Sequence, residues 1–83
     1  MRIFNLDENY QVVCNWHNTR NGFKHTANLC RNGNSVCETK VNYLNRTWES
    51  FEYETVLYRV VDCYFEGKEQ EKYRKIIKDL RPY

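Results

Sequence analysis

Residues 19–43 read TRNGFKHTANLCRNGNSVCETKVNY, and the two Asn-Gly pairs in that stretch decide the fold. Asn-Gly is the strongest short hairpin signal, because a type I′ turn needs positive φ at both central residues. The first pair, Asn21-Gly22, follows YQVVCNWHN, residues 10–18, whose alternation is that of a strand. A two-residue turn there sets Arg20 against Phe23, Trp16 against Ala27 and Cys14 against Leu29. Val12, Cys14, Trp16, Ala27 and Leu29 then share one face. Val13, Asn15, His17, Thr26, Asn28 and Cys30 share the other. At the second pair, Asn32-Gly33, a two-residue turn would put Glu38 and Lys40 on the face of Leu29 and Ala27. Side chains alternate with a period of two, so a one-residue slip exchanges the faces of a whole strand. A three-residue loop, Asn32-Gly33-Asn34, instead carries Cys37, Thr39, Val41 and Tyr43 to the apolar face. Burial of one face favours that register. The expectation is a three-stranded antiparallel meander over residues 10–43. Its outer face carries Asn15, His17, Lys24, Thr26, Asn28, Glu38, Lys40 and Asn42.

Two helices complete an α+β fold of order β-β-β-α-α. The first is expected over residues 47–65. Asn45 or Thr47 can cap it by accepting a backbone N–H bond, and Glu49, Glu52 and Glu54 suit the positive end of its dipole. Trp48, Glu52, Thr55, Arg59 and Asp62 form one polar stripe at 100° per residue. Phe51, Tyr53, Val56, Leu57, Tyr58, Val60, Val61, Cys63, Tyr64 and Phe65 fill the remaining girth. A surface helix normally shows an apolar stripe only a little over 100° wide, so this helix must be covered on two sides. The sheet supplies one cover and a second helix over residues 68–80 the other. If that helix does not fold back, the apolar excess would build a homodimer. Gly67 stands where a helix C-cap glycine stands. Tyr73, Ile76, Ile77 and Leu80 recur at helical spacing, and Pro82 closes the segment.

The 83 residues make a single domain, and a chain this short buries only about 60–65% of the surface its unfolded form exposes. Large aromatics must therefore fill much of the core, which agrees with seven Tyr, four Phe and two Trp. With 41% hydrophobic and 29% charged residues the composition is that of a folded domain. The opening MRIFNLDENYQVV lacks the apolar run of a signal peptide, and no segment approaches the roughly 20 apolar residues of a membrane span. Both give the expectation of a cytoplasmic protein. In a reducing cytosol the cysteines, at 14, 30, 37 and 63, read as small buried hydrophobes. They lack the pairing of a structural zinc site. A metal site built from Cys30, Cys37 and His17 is the competing reading.

The net charge of +2 is too small to announce a nucleic-acid binder, but it is segregated. Residues 1–46 carry +3, residues 47–66 carry −4 and residues 67–83 carry +3. Mutual neutralisation within the fold is the plain reading. No catalytic constellation or cofactor motif stands out. His17 and His25 face opposite sides of the sheet, and the Asn-Gly pairs are turns rather than phosphate cradles. The expectation is a non-enzymatic binding protein with no cofactor.

Three surfaces could bind. One is the outer sheet face with Arg20, Arg31 and Lys40. Integrase arm-binding domains lay a helix-backed three-stranded sheet of this layout in the DNA major groove, and Asn can read adenine edges, but layout alone does not fix function. The second is the corner Asn45-Arg46-Thr47-Trp48. Arg and Trp are enriched in binding hot spots and Trp48 could stack on an unpaired base, or Trp48 closes the corner as a hydrophobic staple. The third is the acidic stripe of Glu52, Glu54 and Asp62, joined by Arg59 of the same polar stripe. It could meet a basic protein surface or stay solvated.

The segment YLNRTWESFEYETVL, residues 43–57, resembles a pattern found in small proteins of phages and other bacterial mobile elements. There a strand ends in Tyr-Leu-Asn-Arg-Thr-Trp and a helix follows. NGFKHTANL, residues 21–29, fits the hairpin such proteins place before it. The likeness spans roughly residues 10–62 and implies a context, a small accessory protein of a mobile element acting inside a bacterial host cell. Anti-CRISPR proteins share that context and often work without catalysis, by occupying a nuclease surface. The expected partner is a host protein or nucleoprotein such as a CRISPR nuclease. Direct DNA or RNA binding through the sheet face and turn arginines is the alternative, and a structural subunit of a phage assembly is the third.

Overall fold

The computed structural model describes residues 1–20, 22–43 and 53–80. Four strands, β1 (Arg2–Asn5), β2 (Tyr10–Thr19), β3 (Gly22–Arg31) and β4 (Asn34–Tyr43), precede two helices, α1 (Tyr53–Tyr64) and α2 (Gly67–Leu80). The strands form one antiparallel meander in the order β1-β2-β3-β4. The fold is α+β as expected, but the sheet has four strands rather than three.

The added strand comes from RIFNL at residues 2–6. Phe4 and Leu6 are buried while Ile3 and Asn5 are exposed, the alternation of a strand with one face on the core. Asp7 closes the connection to β2. Its Oδ1 accepts the backbone N–H groups of Asn9 and Tyr10, both at 2.8 Å, the local turn-forming bond for which Asp is favoured. Phe4 then pairs with Val12 and Ile3 with Val13.

At the first Asn-Gly pair the register differs from expectation. Thr19 pairs with Gly22, Trp16 with His25, Cys14 with Ala27 and Val12 with Leu29. The slide is by two residues, so every side chain keeps its face. It sets Val12 directly against Leu29, both fully buried, and leaves Trp16 edge-on to Phe23 at 6.4 Å. Core packing outweighs the turn preference of Asn-Gly here.

At the second pair the turn has two residues, not three. Arg31 pairs with Asn34, and Asn32 and Gly33 take φ of 50° and 84°, as a type I′ turn requires. The parity change expected of a longer loop comes instead from a β-bulge. Cys30 pairs with Ser35 but Leu29 pairs with Cys37, which leaves Val36 as the extra residue. Below the bulge, Ala27 faces Thr39 and His25 faces Val41. Cys37 and Val41 pack against the core as expected.

Both helices lie on that apolar face. α1 crosses β3 and β4, and Val56, Leu57, Val60 and Val61 are completely buried. Its expected beginning at residue 47 lies outside the described residues. Gly67 takes φ of 64°, the left-handed conformation that turns a chain out of one helix, and α2 folds back onto α1. Phe65 stacks on Tyr73 at 4.2 Å, and Tyr10 of β2 meets both edge-on, at 5.0 and 5.4 Å. The sheet and α2 thus cover α1 from two sides within one chain.

The segregated charges meet in the same place. Asp62 of α1 accepts from Arg74 Nη1 of α2 at 2.7 Å through both oxygens and from Gln70 Nε2 at 2.8 Å. Burial alone would raise the Asp62 pKa, but the Arg74 and Gln70 bonds outweigh it and hold the carboxyl below its ordinary value. Asp62 is therefore part of the helix packing, not of a free acidic surface.

Candidate functional site

Both helices occupy one side of the sheet, and among the described residues no helix or strand covers the other side. That side measures about 14 Å across the four strands and about 33 Å along the longest ones. Register places its residues in rows. Ile3, Val13, Asn28 and Glu38 form one row. Asn15, Thr26 and Lys40 form the next, and His17 and Lys24 the one nearest the β2–β3 turn. Asn5, Gln11, Cys30 and Ser35 line up toward the opposite end.

The face is mainly amide and hydroxyl, held by short local bonds. Gln11 Nε2 donates to Asn5 Oδ1 at 3.1 Å, Ser35 Oγ to Asn28 Oδ1 at 3.3 Å, and Thr26 Oγ1 to the carbonyl of Asn15 at 3.3 Å. Lys40 Nζ lies 3.3 Å from Glu38 Oε1 along β4, and both side chains are about half exposed. An exposed pair of this kind contributes little to stability, so either charge is available to a partner at small cost. Ile3 and Asn5 enter the site only through β1, which also brings Asn5 beside Gln11 of β2. The signal for them was the alternation of RIFNL and the turn-forming Asp7 after it.

The structure brings together some of the expected contact residues and separates others. Lys40 lies on the open face, and Arg20 is exposed at the β2–β3 turn at one end of it. Arg31 sits at the other end of the sheet but on its helix-bearing side, opposite Tyr10, with its guanidinium 5.8 Å from the Tyr10 ring centre. Arg59 is exposed on α1, in the helical layer on the far side. Asn45, Arg46, Trp48 and Glu52 lie outside the described residues, as does the side chain of Glu54. The chain leaves β4 at Tyr43, opposite Phe23, which is the Arg20 end of the sheet.

The two histidines stand on opposite faces, as expected. His17 is exposed, whereas His25 is fully buried and meets the Tyr53 ring edge-on at 5.3 Å. Burial lowers the His25 pKa below its usual value. Of the cysteines, only Cys14 is fully inside. Burial pushes its thiol up to about 12, against a small opposing pull from Arg2. Cys30 and Cys37 are half-buried, and Cys63 is exposed rather than buried. Cys30 points to the outer face, Cys37 packs on the core and His17 is near the far turn, so the three do not converge on a metal. Among the described residues no group of three His, Cys, Asp or Glu side chains could hold a metal ion. No described helix is long and apolar enough to cross a membrane.

An open groove of about 510 Å³ lies between the helices, lined by Tyr58, Arg74, Lys75, Lys78 and Asp79. Arg74 is held there by Asp62 and over the Tyr58 ring at 4.5 Å, so it serves the helix contact. No family model, curated protein or solved structure matches this chain.

Proposed function

We propose that this chain is a non-enzymatic binding protein of phage or mobile-element type. It docks on a host nucleoprotein through the open face of its sheet, in the manner of an anti-CRISPR. The observation that carries the reading is the sheet face that no described helix or strand covers, whose amides offer donors and acceptors to a partner's polar surface while both helices build the core behind it. The titratable groups fit a binding role. The Cys14 thiol and the His25 imidazole are sealed in the core, and His17 stands apart at the sheet end. A nucleoprotein as the target rests on the resemblance of residues 43–57 to mobile-element proteins and on the anti-CRISPR context it implies.

Direct binding of DNA or RNA is the second reading. It is favoured by the gathering of Arg20, His17, Lys24 and Lys40 toward one end of the face. Salt separates the two. A protein that neutralises several phosphates loses affinity steeply as salt rises, with a slope that counts the contacts. With three cations at that end and one of them beside Glu38, weak nucleic-acid binding and a shallow slope are expected. Titration of labelled single-stranded and duplex DNA across a salt series reads this directly. Tight binding with a slope of several phosphates would replace the inhibitor reading with the nucleic-acid one.

A further inference from the structure

β4 is the last strand of the sheet and runs for ten residues. Among the described residues no strand pairs with its outer edge. The other edge, β1, has only four residues. A long unpaired edge is a template for strand addition, and natural edges are commonly guarded by charge and by bulges. β4 carries both, Glu38 with Lys40 and the bulge at Val36. In one arrangement this guard becomes an attraction.

Consider two copies of β4 pairing antiparallel about a two-fold axis. Faces match only when the axis passes through a residue, because directly opposed residues share a face. An axis at Glu38 sets Glu38 against its own copy. An axis at Lys40 sets Lys40 against its own copy. Like charges directly opposite one another destabilise a strand pair. An axis at Thr39 sets Glu38 against Lys40 of the second copy, and Lys40 against Glu38 of the second copy. The same register sets Cys37 against Val41 across the joint. These two residues and Thr39 are only half-buried, whereas His25, Ala27 and Leu29 beside them on β3 are completely buried. A second sheet edge would finish the burial that α1 leaves incomplete. At the axis, Thr39 faces Thr39. Its Oγ1 is buried with no hydrogen-bond partner among the described residues, and Thr–Thr is a favourable cross-strand pair.

We infer that the chain forms a two-fold symmetric dimer through β4, with the axis at Thr39 and two Glu38–Lys40 pairs across it. The partner this edge fits is a second copy of the same chain. The joint makes one continuous eight-stranded sheet whose open faces run on from one copy to the other. This dimer does not draw on the apolar girth of α1, which α2 covers.

Sedimentation equilibrium of the purified chain tests it, with charge reversals at the joint. The wild type should show a reversible, concentration-dependent dimer. Glu38→Lys and Lys40→Glu should each lose it, since either leaves a single sign of charge along the edge. An equimolar mixture of the two variants should associate one-to-one, and the double exchange Glu38→Lys with Lys40→Glu should dimerise again. Misfolding cannot mimic these gains of association. A wild type that stays monomeric to millimolar concentration would overturn the proposal. So would a dimer that both single variants retain, or single variants that fail to associate when mixed.

Discussion

His25 sits in the middle of β3 with no surface exposed, and burial lowers its pKa. The unfolded chain, where histidine titrates near pH 6.5, therefore takes up a proton more readily than the fold does. The stability tied to His25 is complete above the unfolded pKa and falls as pH drops below it. Thermal melts between about pH 7 and pH 5 should show a declining Tm, and His25→Phe should flatten that decline. Equal slopes for the two proteins would remove His25 as the cause. Asp7 has the opposite chemistry. Burial raises its pKa, but the Tyr73 hydroxyl at 2.5 Å, the N–H groups of Asn9 and Tyr10, and Lys72 together bring it below the ordinary value. Its contribution is complete above the unfolded carboxylate pKa and is lost as pH falls through the lower, folded one. Asp7→Asn should cost about 1–2 kcal/mol in urea unfolding at neutral pH, a gap that closes toward about pH 3. A gap that is absent at neutral pH, or constant down to acid, would contradict this role. The Asp7–Tyr73 bond was not legible in the sequence. It joins residues 66 positions apart, and local pattern carries no information on such a contact.

At the scale of elements, the bulge at Val36 reconciles the two-residue turn at Asn32-Gly33 with the burial of Cys37 and Val41. Val36 is the extra residue of the bulge and 38% exposed. Deleting it would straighten the ladder and leave the pairs on either side unchanged, Ser35 opposite Cys30, Cys37 opposite Leu29 and Glu38 opposite Asn28. The deletion variant should therefore unfold cooperatively and keep its near-UV circular dichroism. Val36→Thr, which keeps the residue count, should stay within about 0.5 kcal/mol of wild type. A deletion variant without cooperative unfolding would show that β3 and β4 are not paired in this way on the two sides of Val36. The sequence revealed the outcome of this device but not the device. The contrast between Cys37, Val41 and Glu38, Lys40 states which face must be buried, and a longer loop satisfies that demand as well as a bulge does. Likewise, the apolar girth of α1 announced two covers, and the sheet and α2 supply them. β1 was missed because four residues carry too short an alternation to stand out without their partner β2.

At the scale of the whole molecule, the order of elements puts both helices behind one face, and among the described residues the other stays open. That face, rather than a cavity, is the feature from which function is argued. Most of its residues on β2, β3 and β4 were legible from period-two alternation alone. Arg31 and Arg59 could not be placed from the sequence, since whether two exposed arginines share a surface depends on where the ends of the sheet and the helical layer fall. The direct test is affinity capture of nucleoproteins from lysate of a bacterium that carries CRISPR nucleases, before and after nucleic-acid digestion. The baits are the wild-type chain and Asn15→Glu with Lys24→Glu, two changes on the open face away from the β4 edge. The wild type should retain a nuclease after digestion, and the double variant should lose it with an unchanged Tm. Equal retention by both baits, or capture that disappears with the nucleic acid, would contradict it.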